Sequence, residues 1–253
     1  MNMDTIKKIL LLLLVWSVSF ALTAQETLRE AETAYAQEDY AKAIELYESV
    51  LKTYGDSYEV YYNLGNACYK AGKIAAAILN YERALLIRPG DRDIRHNLEI
   101  AGTRTVDHIE PLGDLLLSQW FRAVQHLFAV DTWATIGLIT FILFAGCLAL
   151  FFFDKRMFLR KTGFYTGIAL FIIVLFANIF AWNERKALTE RNGAIVFAPT
   201  VTVKSTPDAG GLDLFVLHEG TKVFIRSVIG EWNEIELEDG SIGWIHRKDI
   251  EKI

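Results

Sequence analysis

Apolar residues fall into three nearly unbroken blocks, 9–24, 132–153 and 163–182, and elsewhere they alternate with polar ones as in soluble elements. Over 25–105 the alternation is helical. Leu64, Gly65 and Ala67 share one stripe, and Ala77, Tyr81 and Ala84 share another at i, i+4 and i+7. From Gly193 the period drops to two. It predicts strands over Val201–Lys204, Lys222–Ile229, Trp232–Leu237 and Ser241–His246, with Asp239-Gly240 as a two-residue hairpin turn. The pattern predicts a mixed multidomain chain: an all-α solenoid, two transmembrane helices and a small all-β barrel.

The helical segment repeats itself every 34 residues. Ala43-Ile44 returns as Ala77-Ile78, Tyr47-Glu48 as Tyr81-Glu82, Tyr35 as Tyr69 and Asn63-Leu64 as Asn97-Leu98. The run from Tyr61 to Ala67, followed by Gly72, Ala77, Tyr81, Ala84-Leu85 and Pro89, resembles the tetratricopeptide repeat consensus. Small residues (Gly65, Ala77, Ala84) let two helix backbones approach while tyrosines fill the remaining space. Gly72 ends the first helix and Pro89-Gly90 the second. A looser first repeat covers 24–57, and Asp91-Arg92-Asp93 starts a further helix that caps the stack. In so short a solenoid each unit buries its face only against a neighbour. Further contact is therefore expected, with a partner or with the rest of the chain.

Some members of that repeat family grip a C-terminal carboxylate with a Lys/Asn/Arg clamp on their first helices. The matching positions here are Leu28, Glu32, Asn63, Asp93 and Asn97. Only Asn63 fits, and Asp93 puts a negative charge where a positive one is needed, so an acidic tail is a poor ligand. The groove candidates are Tyr62, Asn63, Asn66, Tyr69, Lys70 and Asn97, aromatic and amide groups suited to a helix or an extended segment. Equally, Tyr62 and Tyr69 are of a kind that packs between repeats.

The first apolar block reads as a secretory signal over 1–24. Lys7 and Lys8 precede the apolar run, and Leu22-Thr23-Ala24 follows it at the cleavage edge. If cleavage does not occur, the segment is an anchor; either way residue 25 onward is delivered to the far side of the membrane. Thr132 to Phe153 is a charge-free stretch of 22 residues. At about 1.5 Å per residue it reaches about 33 Å, enough for a hydrocarbon core of about 30 Å. Gly163 to Trp182 is a second such stretch. With no charged residue in either, these blocks are anchors rather than ion pathways. The loop between them, 154–162, carries Lys155, Arg156, Arg160 and Lys161 and belongs in the cytoplasm by the positive-inside rule.

Both soluble parts, 25–105 and 193–253, then lie outside the inner membrane, in a periplasm. Within the linker region 106–131, the residues from Asp114 are amphipathic. Leu116, Trp120, Val124 and Leu127 share one face, with Leu117, Phe121 and Phe128 beside it. This helix is expected in the membrane interface, or alternatively in the core of the repeat domain. A short linker, 183–192, leads to the strands.

In the β segment, Val203-Lys204-Ser205-Thr206-Pro207, Leu217-His218-Glu219-Gly220-Thr221 and Gly240 to Ile245 resemble the bacterial SH3-like domain. Alternation puts Ile235 and Leu237 on one face and Trp232, Glu234 and Glu236 on the other. Trp232 and Trp244 are the candidate contacts for a ligand, although Trp232 would serve equally to shield the barrel's end.

Composition removes other functions. The net charge of −5, with no large basic block, argues against nucleic acid as a partner. Cys68 and Cys147 fall in a repeat helix and a membrane block, so they read as small apolar residues. The histidines are scattered, and neither a nucleophile elbow, a zinc helix motif nor a phosphate loop occurs. No enzyme and no cofactor is expected.

Signal, tetratricopeptide repeats, two spans with a short basic loop, then an SH3-like barrel, taken in that order, resemble the Bat family of the "Bacteroides aerotolerance" operon. The resemblance implies a protein-interaction scaffold with membrane partners that carry von Willebrand A-type domains. A MoxR-type ATPase would be met indirectly, in a role linked to stress or oxygen tolerance. The rival expectation is an envelope sensor or tether whose barrel holds peptidoglycan or a wall peptide.

Overall fold

The structure is a computed structural model that describes residues 23–110, 113 and 116–253. The signal expected over 1–24 lies outside the described residues up to residue 22, as do Pro111 and Asp114 of the linker. Five helices form the repeat region: α1 (23–36), α2 (Tyr40–Tyr54), α3 (Tyr58–Lys70), α4 (Ile74–Ile87) and α5 (Arg92–Gly102). Asp39 starts α2 by accepting from the Lys42 amide at 3.1 Å. Asp91 starts α5 by accepting from the Asp93 and Ile94 amides, which satisfies donors that a helix end leaves open. α2 buries Ala43, Ile44, Tyr47 and Val50, the stripe its sequence spacing sets. Between α3 and α4 the backbones come so close that a Cβ on Gly65 would lie 2.6 Å from the Tyr81 ring.

α4 is buried on nearly every side, through Ala75, Ala77, Ile78, Leu79, Asn80, Tyr81 and Ala84. A helix that is apolar all round has to be covered all round. Here α3 and α5 flank it, and the C-terminal sheet covers a third side.

That sheet is antiparallel and has seven strands: β1 (Gly193–Val196), β2 (Thr200–Lys204), β3 (Asp213–His218), β4 (Lys222–Ile229), β5 (Trp232–Glu236), β6 (Ile242–His246) and β7 (Ile250–Lys252). Their order is β3-β2-β6-β5-β4-β1-β7. Leu217 of β3 and Ala194 and Val196 of β1 belong to one buried cluster with Val203, Val223, Ile235 and Ile245. In a flat sheet β3 and β1, five strand spacings apart, would stand about 24 Å from each other, so the sheet curls around its core. The β3–β4 turn closes the curl: the Gly220 amide donates to the Val196 carbonyl at 2.8 Å, and the Val196 amide to the Thr221 carbonyl at 2.9 Å.

Docking of sheet on helices supplies the extra contact that a short solenoid needs. Ile195 and Ile253 are buried within the helical core, with Phe197 packed beside them. Arg83 donates to the Lys252 carbonyl at 2.6 Å, Lys222 pairs with Glu82 at 2.7 Å, and Arg191 pairs with Asp56 at 2.7 Å.

Two helices, α7 (Val130–Phe153) and α8 (Met157–Glu190), are long and apolar enough to cross a membrane. They pack on each other, but only 6 % and 17 % of their most apolar stretches are buried, so most of their apolar surface is left uncovered by the other described elements. The connection between them shortens to Asp154-Lys155-Arg156, because α8 starts ahead of Gly163. α8 also continues past Trp182, since 184–190 consists of good helix formers and Lys186 pairs with Glu190 at 3.7 Å.

Across the top of this hairpin lies α6 (Leu116–Gln125). Its inward stripe contains Phe121, on the Phe180 ring at 4.9 Å, and Val124, while Trp120 faces out. Just beyond the helix Phe128 meets Trp133 at 5.2 Å, with Leu127 exposed beside it. Gln125 is the polar centre of the contact. It donates to Glu184 at 3.1 Å, accepts from Asn183 at 3.2 Å, and offers its carbonyl to the Trp133 indole at 2.9 Å.

Candidate partner-binding surfaces

The groove candidates lie on α3 and α5, the first helices of the second repeat and of the capping unit. Asn97 on α5 donates to the Tyr62 hydroxyl at 3.1 Å and to the Asn66 carbonyl oxygen at 2.9 Å, both on α3. The Tyr81 hydroxyl on α4 donates to the same Asn66 oxygen at 2.8 Å. Burial raises the Tyr81 pKa far above its usual value, so the phenol stays protonated and remains a donor. Tyr62, Asn66 and Asn97, with Tyr81, thus form one hydrogen-bonded set that ties three helices together.

The other three candidates are placed differently. Tyr69 is half-buried against the helical core, Asn63 is half-buried, and Lys70 is exposed. Tyr35 of α1 feels the Lys70 charge, but burial is the larger influence on its phenol and raises its pKa. Cys68 lies in the core, where burial pushes its thiol up to about 11, so it is no nucleophile at neutral pH.

On the sheet, Trp232 and Trp244 come to one face. Register pairs Trp232 with His246 and Glu234 with Trp244, and paired residues point to the same side. The Trp232 ring meets His246 edge-on at 5.5 Å, and Ile229 extends the face through its pairing with Trp232. Asn233, Ile235 and Leu237 point the other way, into the core.

Sequence reasoning missed the seam between the two parts, centred on Asp107. Its carboxylate accepts from the His218 amide at 2.7 Å and the Thr221 hydroxyl at 2.6 Å, and lies 2.8 Å from the His218 Nδ1. Burial works to raise the pKa of this carboxyl, but the bonds from Thr221 and His218 together outweigh it and hold it below the usual range. A crevice of about 380 Å³ opens here, lined by Glu82, Leu98, His108, Lys222 and Glu238 among others. Glu82 and Lys222 already bind each other across the seam, which makes it a joint between elements.

A search among curated proteins finds none that matches this chain. The family model described as tetratricopeptide repeat matches residues 28–92, the stretch from α1 to the start of α5, and this chain therefore carries tetratricopeptide repeats.

Proposed function

We propose that this chain is a membrane-anchored scaffold in which α7 and α8 cross the bilayer and the repeat groove receives a segment of another protein. The observation that carries it is where the sheet docks. It packs chiefly on α4, the second helix of its repeat, rather than on α3, the first helix that bears Tyr62, Asn66, Tyr69 and Lys70. The stack gains stability from the sheet without using the face that repeats of this kind turn to ligands.

The shared core of helices and sheet supports a single compartment for both. The four basic residues at the opposite end of the hairpin support a cytoplasmic turn, and hence an extracytoplasmic groove. Membrane proteins with von Willebrand A-type domains, with a MoxR-type ATPase reached through them, are the partners this reading favours, in a stress or aerotolerance complex.

A photo-crosslinking residue in place of Lys70 tests it, with the same residue in place of exposed Lys52 on α2 as the comparison. A discrete adduct from position 70 and none from 52, containing a von Willebrand A-type membrane protein, is the expected result. Equal or absent adducts from both positions overturn the groove as the docking face.

One observation favours a second reading: Trp232, Trp244 and His246 share an outward face of the sheet, which we take to be an SH3-like barrel. A wall peptide or peptidoglycan strand would stack there. Co-sedimentation with purified sacculi, lost in Trp232→Ala and kept in Lys70→Glu, would favour this tether over the scaffold.

A further inference from the structure

An apolar crevice of about 310 Å³ opens between α7 and α8 at the turn end of the hairpin. Its floor is Gly163 and Gly167, and its walls include Phe144, Phe151, Phe164 and Phe171. The cause is geometric. At Gly163 a Cβ would lie 2.8 Å from the Cys147 carbonyl, so the helices close up there, and the rings that wall the crevice meet in two cross-helix pairs, Phe144 with Phe171 at 5.5 Å and Phe151 with Phe164 at 5.6 Å. Along α7 the lining runs from Phe144 to Phe152, about 12 Å of helix rise. That matches one acyl layer, half of a hydrocarbon core of about 30 Å.

The mouth of the crevice is cationic. Arg160, Phe164, Ile168 and Phe171 follow one another at i, i+4, i+8 and i+11, so a single helical stripe begins with a guanidinium and continues as crevice wall. Arg160 lies 5.6 Å from the centre of the Phe151 ring, which is itself a wall. Lys155, Arg156 and Lys161 lie within five residues of it in sequence, and the one acid in that stretch, Asp154, already accepts from the Arg156 amide at 2.7 Å.

We propose that this crevice is a binding site for an anionic diacyl phospholipid of the inner leaflet. One acyl chain lies on the Gly163–Gly167 floor between the phenylalanines, and the phosphate sits among Arg160, Arg156 and the flanking lysines. The site rests on the membrane reading given above. It goes beyond it by assigning a lipid class and the residues that select it. A zwitterionic lipid fills the same floor but brings its own cation to the mouth, so charge at Arg160 separates the two classes.

The full chain, purified in detergent, is titrated with dioleoyl phosphatidylglycerol and with dioleoyl phosphatidylcholine, and bound lipid is counted by native mass spectrometry. The expected result is a preference for phosphatidylglycerol of at least about fivefold, the contribution of a single cation at a membrane surface. Arg160→Gln should bring the two lipids close to parity with phosphatidylcholine unchanged. Gly167→Leu should lower both, since a Cβ there has ordinary room, 3.6 Å from that of Cys147, and the longer side chain fills the floor. Arg185→Gln, at the far end of α8, should change neither.

Equal binding of both lipids by the native chain, a preference that survives Arg160→Gln, or full binding in Gly167→Leu overturns the site. Vesicle flotation after a carbonate wash separates this failure from that of the membrane reading. A chain that stays at the bottom of the gradient defeats the anchor itself. A chain that floats without lipid preference defeats only this inference.

Discussion

Gly220 sits where two demands meet. Its φ is +88°, and a Cβ on it would lie 2.7 Å from Thr105 Cγ2 and 3.3 Å from Ile78 Cδ1, both on the helical side of the seam. Alanine there is strained in the backbone and also pushes the sheet off α4. We expect Gly220→Ala to cost about 1–3 kcal/mol, read as an earlier unfolding midpoint in detergent; an unchanged midpoint would contradict the docked arrangement. Next to it, Asp107 makes the seam sensitive to pH. Its folded pKa is held below that of an unfolded carboxylate near 3.9. Its contribution is therefore complete above that value and fades as pH falls through the folded pKa. Asp107→Asn should lose about 1–2 kcal/mol near pH 7, toward the lower figure because the group retains some solvent screening. The gap between native protein and variant should close below about pH 4, and denaturant titrations at several pH values measure it. None of this was legible beforehand, since Asp107 meets partners 111 and 114 residues away. The chemistry of Tyr62, Asn66 and Asn97 was legible from the repeat register. Their mutual bonding was not, because it needs α3 and α5 set side by side.

At the level of elements, the repeat helices were readable because a fixed period states both the helix and its neighbour. β2, β4, β5 and β6 were readable because one face of each meets water and leaves an alternating trace. β1, β3 and β7 were not. Gly193–Val196 is buried almost throughout, Leu214-Phe215-Val216-Leu217 shows no polar alternation, and β7 is only three residues long. The inward stripe of α6 was similarly ambiguous, as aromatic and aliphatic residues lie all round it. What fixes its rotation is Gln125 bonded to Glu184, whose side chain is only 4 % exposed. His126 adds to the contact, with its Nδ1 2.9 Å from the same carboxylate oxygen. Glu184→Ala leaves both groups facing a gap and should loosen α6 from the hairpin. Tryptic cleavage after Arg122, followed by mass spectrometry, should quicken on the order of tenfold, equivalent to about 1.4 kcal/mol of lost clamping. Glu184→Gln, which keeps an acceptor for Gln125, should quicken it less. Equal rates in all three proteins would mean that the clamp does not hold the helix.

For the whole molecule the question is whether repeat and sheet are two bodies in contact or one body. Ile253 decides it physically. It is 4 % exposed, belongs to the helical core cluster, and packs so closely on β1 that a Cβ at Gly193 would touch its Cδ1 at 2.6 Å. Arg83 reaches from α4 to the carbonyl just before it, so the same short strand is held by apolar burial and by a charged hydrogen bond. Burial shared in this way couples the openings of both parts, because neither can expose its core without exposing part of the other's. Ile253→Ala removes about 2 kcal/mol or more from that common core. If the two parts open together, amide exchange should speed up about 30-fold in α4 peptides and in β1 peptides alike. If instead only β1 and β7 respond while α4 keeps its protection, the repeat stands alone and the sheet is merely tethered to it. The groove would then be free to turn relative to the sheet.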